Sequence, residues 1–195
     1  VSGEKNQARI IVVCGSSGSG KSLWVKKRVA RSRRLVVWDP AGEYYRVGCI
    51  SIMCARDLVR ALCAKSGRFA YVAPTLSHFD FFCRAAYSWG HCDVVAEELA
   101  DVTTPGKAPA GWGMVVRRGR HQALTVYAVT QRPAESDKTA IGNATLIHCC
   151  RLKRDADRVY MAREMGVEKK ILDALQPLEF IESDGVNIAR GRVSI

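Results

Sequence analysis

Apolar positions along this chain follow two alternating rhythms. Short unbroken runs rich in Val, Ile and Cys recur, and between them lie stretches whose apolar residues fall three or four apart. The runs at 9–14, 35–39, 49–53, 69–73, 92–96, 124–130 and 145–152 predict strands. The stretches at 22–33, 55–65, 79–89, 112–121, 155–165 and 168–176 predict helices; within 55–65, Leu58, Leu62 and Cys63 share one face. Residues 178–194 predict a β-hairpin turning at Ser183, Asp184 and Gly185. One segment, 101–111, with Thr103, Thr104, Pro105, Gly106 and Pro109, follows neither rhythm. No internal repeat or low-complexity tract interrupts the series.

Strands alternating with helices predict an α/β fold, a mostly parallel β-sheet sandwiched by helices. In such sheets ligands gather at the carboxyl ends of the strands. The aromatic stripe "FDFFCRAAYSW" at 79–89 is expected to pack in the core, with a subunit or membrane-vertex contact as the alternative.

Composition narrows this little. The length of 195 residues suits a single domain, 1–195, and 48% hydrophobic with 25% charged residues suits a globular core. No apolar run approaches the roughly 18 residues of a membrane-spanning helix. No charged-then-apolar leader opens the chain, which begins at Val1. The eight cysteines, at 14, 49, 54, 63, 83, 92, 149 and 150, form no C-x-x-C pair. They read as small buried thiols of a reducing compartment, not as a zinc site or disulfide framework. The net charge of +11 changes the picture more, because it favours a polyanionic partner such as nucleic acid.

The chemistry begins at "GSSGSGKS", 15–22, which fits G-x-x-x-x-G-K-[ST] between a strand and a helix. Small residues let the backbone curl so that successive N–H groups point at phosphate oxygens, and the helix adds its positive end. Gly15, Ser16, Ser17, Gly18, Ser19, Gly20, Lys21 and Ser22 are therefore the ATP-binding residues, with Lys21 on the terminal phosphates and Ser22 on magnesium.

A strand that ends in acids must supply the rest. "VVAEELAD", 94–101, ends its apolar run in Glu97 and Glu98. Neighbouring residues at a strand end point in different directions, so one can face the metal and the other the γ-phosphate. The competing reading has the two glutamates opening the next helix, where acids are also favourable. Asp93 is a weaker candidate and Asp101 the weakest.

Two further stretches carry polar groups at strand ends. "VVWDPAGEYY", 36–45, ends a strand with Asp39 and then presents Glu43 and two tyrosines; taken alone, Asp-Pro-x-Gly is turn chemistry. "RRGRHQALTVYAVTQRP", 117–133, places Gln131 at a strand end, where a carboxamide can bond both a phosphate oxygen and a water.

Together, "GSSGSGKS", "DPAGEY", "VVAEE" and "RRGRH…TQRP", in that order over 9–133, resemble the FtsK–HerA superfamily of P-loop ATPases, which has a RecA-like fold. The small size looks most like the genome-packaging ATPases of tectivirus-type, membrane-containing viruses. The resemblance implies ATP and Mg2+ as cofactors, and a ring, often a hexamer, that pumps double-stranded DNA. It implies capsid or packaging-vertex proteins as partners, and a location in the host cytoplasm or at the virion packaging vertex. By the same resemblance Glu97 takes the usual Asp place as metal acid, Glu98 polarises water and Gln131 senses the γ-phosphate. Arg120 is the first choice for an arginine finger acting in trans, with Arg117 and Arg118 as alternatives. Glu97 departs from the pattern by one methylene.

A translocating ring also needs cations for DNA phosphates. Lys107, in the patternless segment, is one candidate contact. Lys26, Lys27, Arg28, Arg31, Arg33 and Arg34 crowd the helix after the phosphate loop, where a solvated or intersubunit face is the plainer reading. Competing functions are a Zot-like filamentous-phage assembly ATPase or a conjugative DNA-transfer ATPase. A small-molecule kinase or a non-enzymatic nucleic-acid-binding module belongs to other classes. Gln131 and the adjacent Glu97 and Glu98 argue against a kinase.

Overall fold

The computed structural model describes residues 9–73 and 75–194; Val1 lies outside them. Nine strands form one sheet: β1 (Arg9–Cys14), β2 (Arg34–Trp38), β3 (Ile50–Ile52), β4 (Gly67–Tyr71), β5 (Asp93–Ala96), β6 (Thr125–Thr130), β7 (Leu146–Cys150), β8 (Glu179–Ser183) and β9 (Ile188–Arg192). Their spatial order is β3-β4-β2-β5-β6-β1-β7-β8-β9. All pairings up to β7 are parallel, and β8 and β9 add on antiparallel. The helices are α1 (Lys21–Arg28), α2 (Ala55–Leu62), α3 (Phe79–Trp89), α4 (Leu99–Val102), α5 (Ala110–Arg118), α6 (Lys138–Gly142), α7 (Asp155–Met165) and α8 (Lys169–Asp173).

The uninterrupted Val/Ile runs have the composition that burial on both faces requires. On β1, Ile10, Val12 and Cys14 face a core with α2, α3, α5 and α7, which supply Leu58, Phe82, Trp112 and Met161. Ile11 and Val13 face a second core with Trp24 and Val25 of α1, Tyr44, and Val193 beyond β9. Phe79, Phe82, Cys83 and Ala86 of the aromatic stripe are buried, as core packing requires. Six cysteines are buried; Cys54 and Cys63 are exposed. Leu58 is buried but Cys63 is not, so the predicted apolar face of α2 is only partly covered.

Several boundaries differ from the periodicity. The helix expected over 22–33 stops at Arg28. The segment after it is held by Arg68 on β4, whose Nη1 donates to Val29 O (2.8 Å) and Ser32 O (2.7 Å). A cation from a distant strand thus fixes the chain where it leaves the helix; Arg31 and Arg33 lie in the turn into β2, and Arg34 is its first residue. The helix expected over 112–121 is α5 followed by a 3-10 turn, Gly119–Gln122. That expected over 168–176 is the shorter α8. The hairpin turn is centred on 184–187, where Asp184 Oδ1 accepts from Val186 N (2.9 Å) and Asn187 N (2.7 Å).

Segment 101–111 is not featureless. It leaves α4, closes a tight turn in which Thr104 and Lys107 exchange backbone hydrogen bonds (2.9 and 3.2 Å), and enters α5. Gly111 starts α5 against α3: its N–H donates to Asp80 Oδ1 (2.6 Å), and a Cβ there would lie 2.5 Å from Asp80 O.

Candidate active site

β1, β6 and β5 end nearly level. Cys14 pairs with Thr130, and Ala96 with Ala128, so the residues just beyond each strand meet at one edge. On the other side of β5, Trp38 pairs with Ala96, which brings Asp39 beside Glu97. The Glu97 N–H donates to Trp38 O (3.2 Å). A cleft of about 270 Å³ opens at this edge, lined by Ser17, Gly18, Lys21, Ser22, the turn Asp39–Tyr44, Glu97, Glu98 and Gln131. This is the carboxyl edge of the parallel strands, where ligands gather in open α/β sheets.

The phosphate loop is anchored on its neighbours as well as on itself. Ser16 N and Oγ both donate to Arg151 O (2.9 and 2.8 Å), and Gly15 N donates to Thr130 O (3.3 Å). Gly15 must be glycine, since a Cβ would lie 2.5 Å from Ser19 Oγ and 2.7 Å from Cys150 Cβ. Gly18 and Gly20 have φ of 71° and 102°, backbone that side chains disfavour. Lys21 is buried, and its Nζ donates to Ser16 O (3.3 Å) within the loop.

Glu97 directly follows the last residue of β5, and Glu98 immediately precedes α4 with a left-handed backbone (φ 49°). That strain, about 1–2 kcal/mol for a non-glycine residue, turns consecutive side chains into the same cleft. Glu98 Oε1 accepts from Gln131 Nε2 (2.5 Å), joining the ends of β5 and β6. Glu97 is buried, which pushes its pKa up; the Tyr44 hydroxyl and the Lys21 ammonium pull it back.

Tyr44 was not legible as a site residue. Its hydroxyl donates to Glu97 Oε1 (2.6 Å) from a buried position. The backbone of "DPAGEYY" does form the expected turn, since Asp39 accepts from Glu43 N (3.1 Å) and Tyr44 N (2.9 Å). Asp39 is thereby committed to the turn, and the turn forms a wall of the cleft. Glu43 pairs with Lys26 of α1 (2.8 Å), whose ammonium holds its pKa down.

The other sequence candidates lie elsewhere. Asp93, at the amino end of β5, accepts from Ser32 Oγ at the opposite edge of the sheet. Asp101 lines a separate surface hollow with Lys107. Arg117 and Arg118 end α5, and Arg120 sits in the 3-10 turn before β6. These three are exposed at the amino edge, a strand length of about 20 Å from the cleft of their own chain. Of the basic run, Lys26 bonds Glu43, Lys27 bonds Ser194 Oγ (2.9 Å), and Arg28 lies over the Trp24 ring (4.6 Å).

The oxygen set suits a hard cation. Ser22 offers a hydroxyl and Glu97 a buried carboxylate on the same cleft, while the described residues contain no cluster of three or more His, Cys, Asp or Glu able to cage a metal alone. Mg2+ is held in this way, by one or two protein oxygens with phosphates and water completing the shell.

No protein-family model matches the chain. Over 175 residues it is 31% identical to Protein P9 of Pseudoalteromonas phage PM2, covering 85% of this chain and 78% of that protein. Its fold is similar to the genome packaging NTPase B204 from Sulfolobus turreted icosahedral virus 2 in complex with AMPPCP, with TM-score 0.78 and 17% identity over 96% of this chain and 98% of that one. It is also similar to VirB4 of Thermoanaerobacter pseudethanolicus, with TM-score 0.70 and 12% identity over 100% and 92% of the two chains. These likenesses establish the P-loop NTPase fold. With the phosphate loop, the acidic strand end and Gln131 gathered there, and with 31% identity to the phage protein, the chain belongs to the FtsK–HerA superfamily of P-loop ATPases, in the family of Protein P9.

Proposed function

We propose that this protein hydrolyses ATP to drive double-stranded DNA into a viral capsid, acting as one subunit of a ring. The observation that carries the reading is the convergence of Lys21, Ser22, Glu97, Glu98 and Gln131 on one cleft at the carboxyl edge. The loop amides and Lys21 bind the phosphates; Ser22 and Glu97 would hold Mg2+, which when bound would neutralise charge on the phosphate oxygens. Glu98 orients and polarises the attacking water. Gln131, bonded to Glu98 in this structure, would exchange that bond for one to the γ-phosphate, so that nucleotide binding and the freeing of Glu98 are one event.

On this reading the finger comes from a neighbour. Arg120, with Arg117 and Arg118, lies too far from its own cleft, so a ring in which it acts faces the amino edge of one subunit toward the carboxyl edge of the next. Charge supports that packing. Arg9, Arg31, Arg33, Lys65, Arg118 and Arg120 are exposed along the amino edge and enter no ion pair among the described residues. The facing cleft carries Glu43, Glu97, Glu98 and the nucleotide phosphates. Lys107, which closes the tight turn beyond α4 opposite Thr104, is the proposed DNA phosphate contact; α4 lies between that turn and Glu98.

The test is ATP hydrolysis measured with and without duplex DNA across a range of protein concentrations. Specific activity should rise steeply with concentration, as sites completed by a neighbour require, and rise again with duplex DNA. Activity indifferent to both overturns the ring-motor reading.

A further inference from the structure

Glutamate in the place of the usual aspartate leaves a problem of geometry. The longer side chain carries one more rotatable bond, so its carboxylate is less determined by the strand that bears it. Tyr44 answers that problem. We propose that Tyr44 is a positioning residue of the nucleotide site, whose hydroxyl holds the Glu97 carboxylate toward the cation that accompanies ATP; this rests on reading Glu97 as the metal acid.

Three observations carry it. The hydroxyl donates to Glu97 Oε1 at 2.6 Å inside the core, which occupies one carboxylate oxygen and leaves Oε2 for the cation or its water. The tyrosine is itself fixed from behind. Asp39 accepts its N–H (2.9 Å), Cys49 N donates to its carbonyl (3.2 Å), and Lys26 lies over its ring (5.1 Å to the centroid). Finally, the turn that delivers it leaves β2, the strand hydrogen-bonded to β5, so brace and braced group share one rigid frame. Partners that hold a metal ligand in place are commonly worth 10–100-fold in metal affinity. The tyrosine completes the function of "DPAGEYY", otherwise an ordinary turn.

The experiment is a double-mutant cycle of Tyr44→Phe and Glu97→Asp, read by electron paramagnetic resonance titration of Mn2+ with a non-hydrolysable ATP analogue. Metal-free nucleotide binding and thermal melting are followed in parallel. Tyr44→Phe should weaken Mn2+ binding by about 10-fold or more with metal-free nucleotide affinity unchanged. In the Glu97→Asp background, where the shorter acid needs no brace, the same change should cost little. Unaltered Mn2+ affinity in Tyr44→Phe overturns the proposal, as does an equal loss in both backgrounds, which would mark Tyr44 as merely structural. A Glu97→Ala variant separates the premise: if it binds Mn2+ like the parent, Glu97 is not the metal acid, whatever Tyr44 does.

Discussion

Replacing Glu98 with glutamine should separate chemistry from binding and from fold. The exchange keeps the side chain's length, and a glutamine Oε1 can still accept from Gln131 Nε2, now at 2.5 Å from Glu98 Oε1. The left-handed backbone at φ 49° costs the same for either residue. Stability should therefore change by less than about 0.5 kcal/mol, a melting shift of no more than about 2 °C for a chain of this size. Lost are the negative charge and the proton-accepting oxygen that the proposed role of Glu98 requires. Groups of this kind contribute about 10²–10⁴-fold, or about 3–5 kcal/mol of activation free energy. Phosphate release in single turnover should fall by that factor, while the dissociation constant of a fluorescent ATP analogue stays within about twofold. Hydrolysis at the parental rate refutes the role given to Glu98. A rate loss matched by loss of nucleotide binding or melting temperature refutes the geometric argument instead.

Other outcomes follow from the same geometry. Arg120→Ala should lower DNA-stimulated turnover by about 10³-fold or more; mixing it with an inactive Lys21→Ala protein should restore part of the activity, because mixed rings pair an intact site with an intact finger. No recovery on mixing counts against a trans finger at this position. Lys107→Ala should weaken duplex DNA binding uniformly across sequences and reduce the slope of log affinity against log salt by about 1; an unchanged slope removes Lys107 from the DNA path. Trp112→Phe removes the buried bond from Trp112 Nε1 to Asp137 Oδ2 (2.9 Å). A bond to a charged group of this kind is worth about 1.5–3 kcal/mol, so denaturant unfolding should show a loss of that order. A loss below about 0.5 kcal/mol would mean that Asp137, which still caps α6, needs no third donor.

Site residues differed in how legible they were, for physical reasons. The phosphate loop was readable because its chemistry is local: one curled segment supplies the amides, the lysine and the hydroxyl. Glu97, Glu98 and Gln131 were readable as strand ends, since an apolar run that stops at a polar residue marks the carboxyl edge. Tyr44 carried no such mark. Its partner is 53 positions away, and only the β2–β5 pairing brings the two together. Arg68 likewise reaches from another strand to fix the residues that follow α1, a contact no local pattern marks. The arginines before β6 were visible as a group, but whether they faced their own cleft was not, because that depends on which end of the strand they occupy in the folded sheet.

The linear pattern by itself determined the α/β class, the order of strands and helices, the phosphate loop and the acidic strand end, because each arises from residues adjacent in the chain or repeating at a fixed period. Tertiary structure alone decided that β6 lies between β1 and β5, placing Gln131 against Glu98. It alone set Asp39 to hold a turn, Tyr44 to hold Glu97, and Arg120 to the far edge. Those outcomes depend on which strands pair and in what register, a choice made by burying two apolar faces at once, and no short stretch of sequence encodes it.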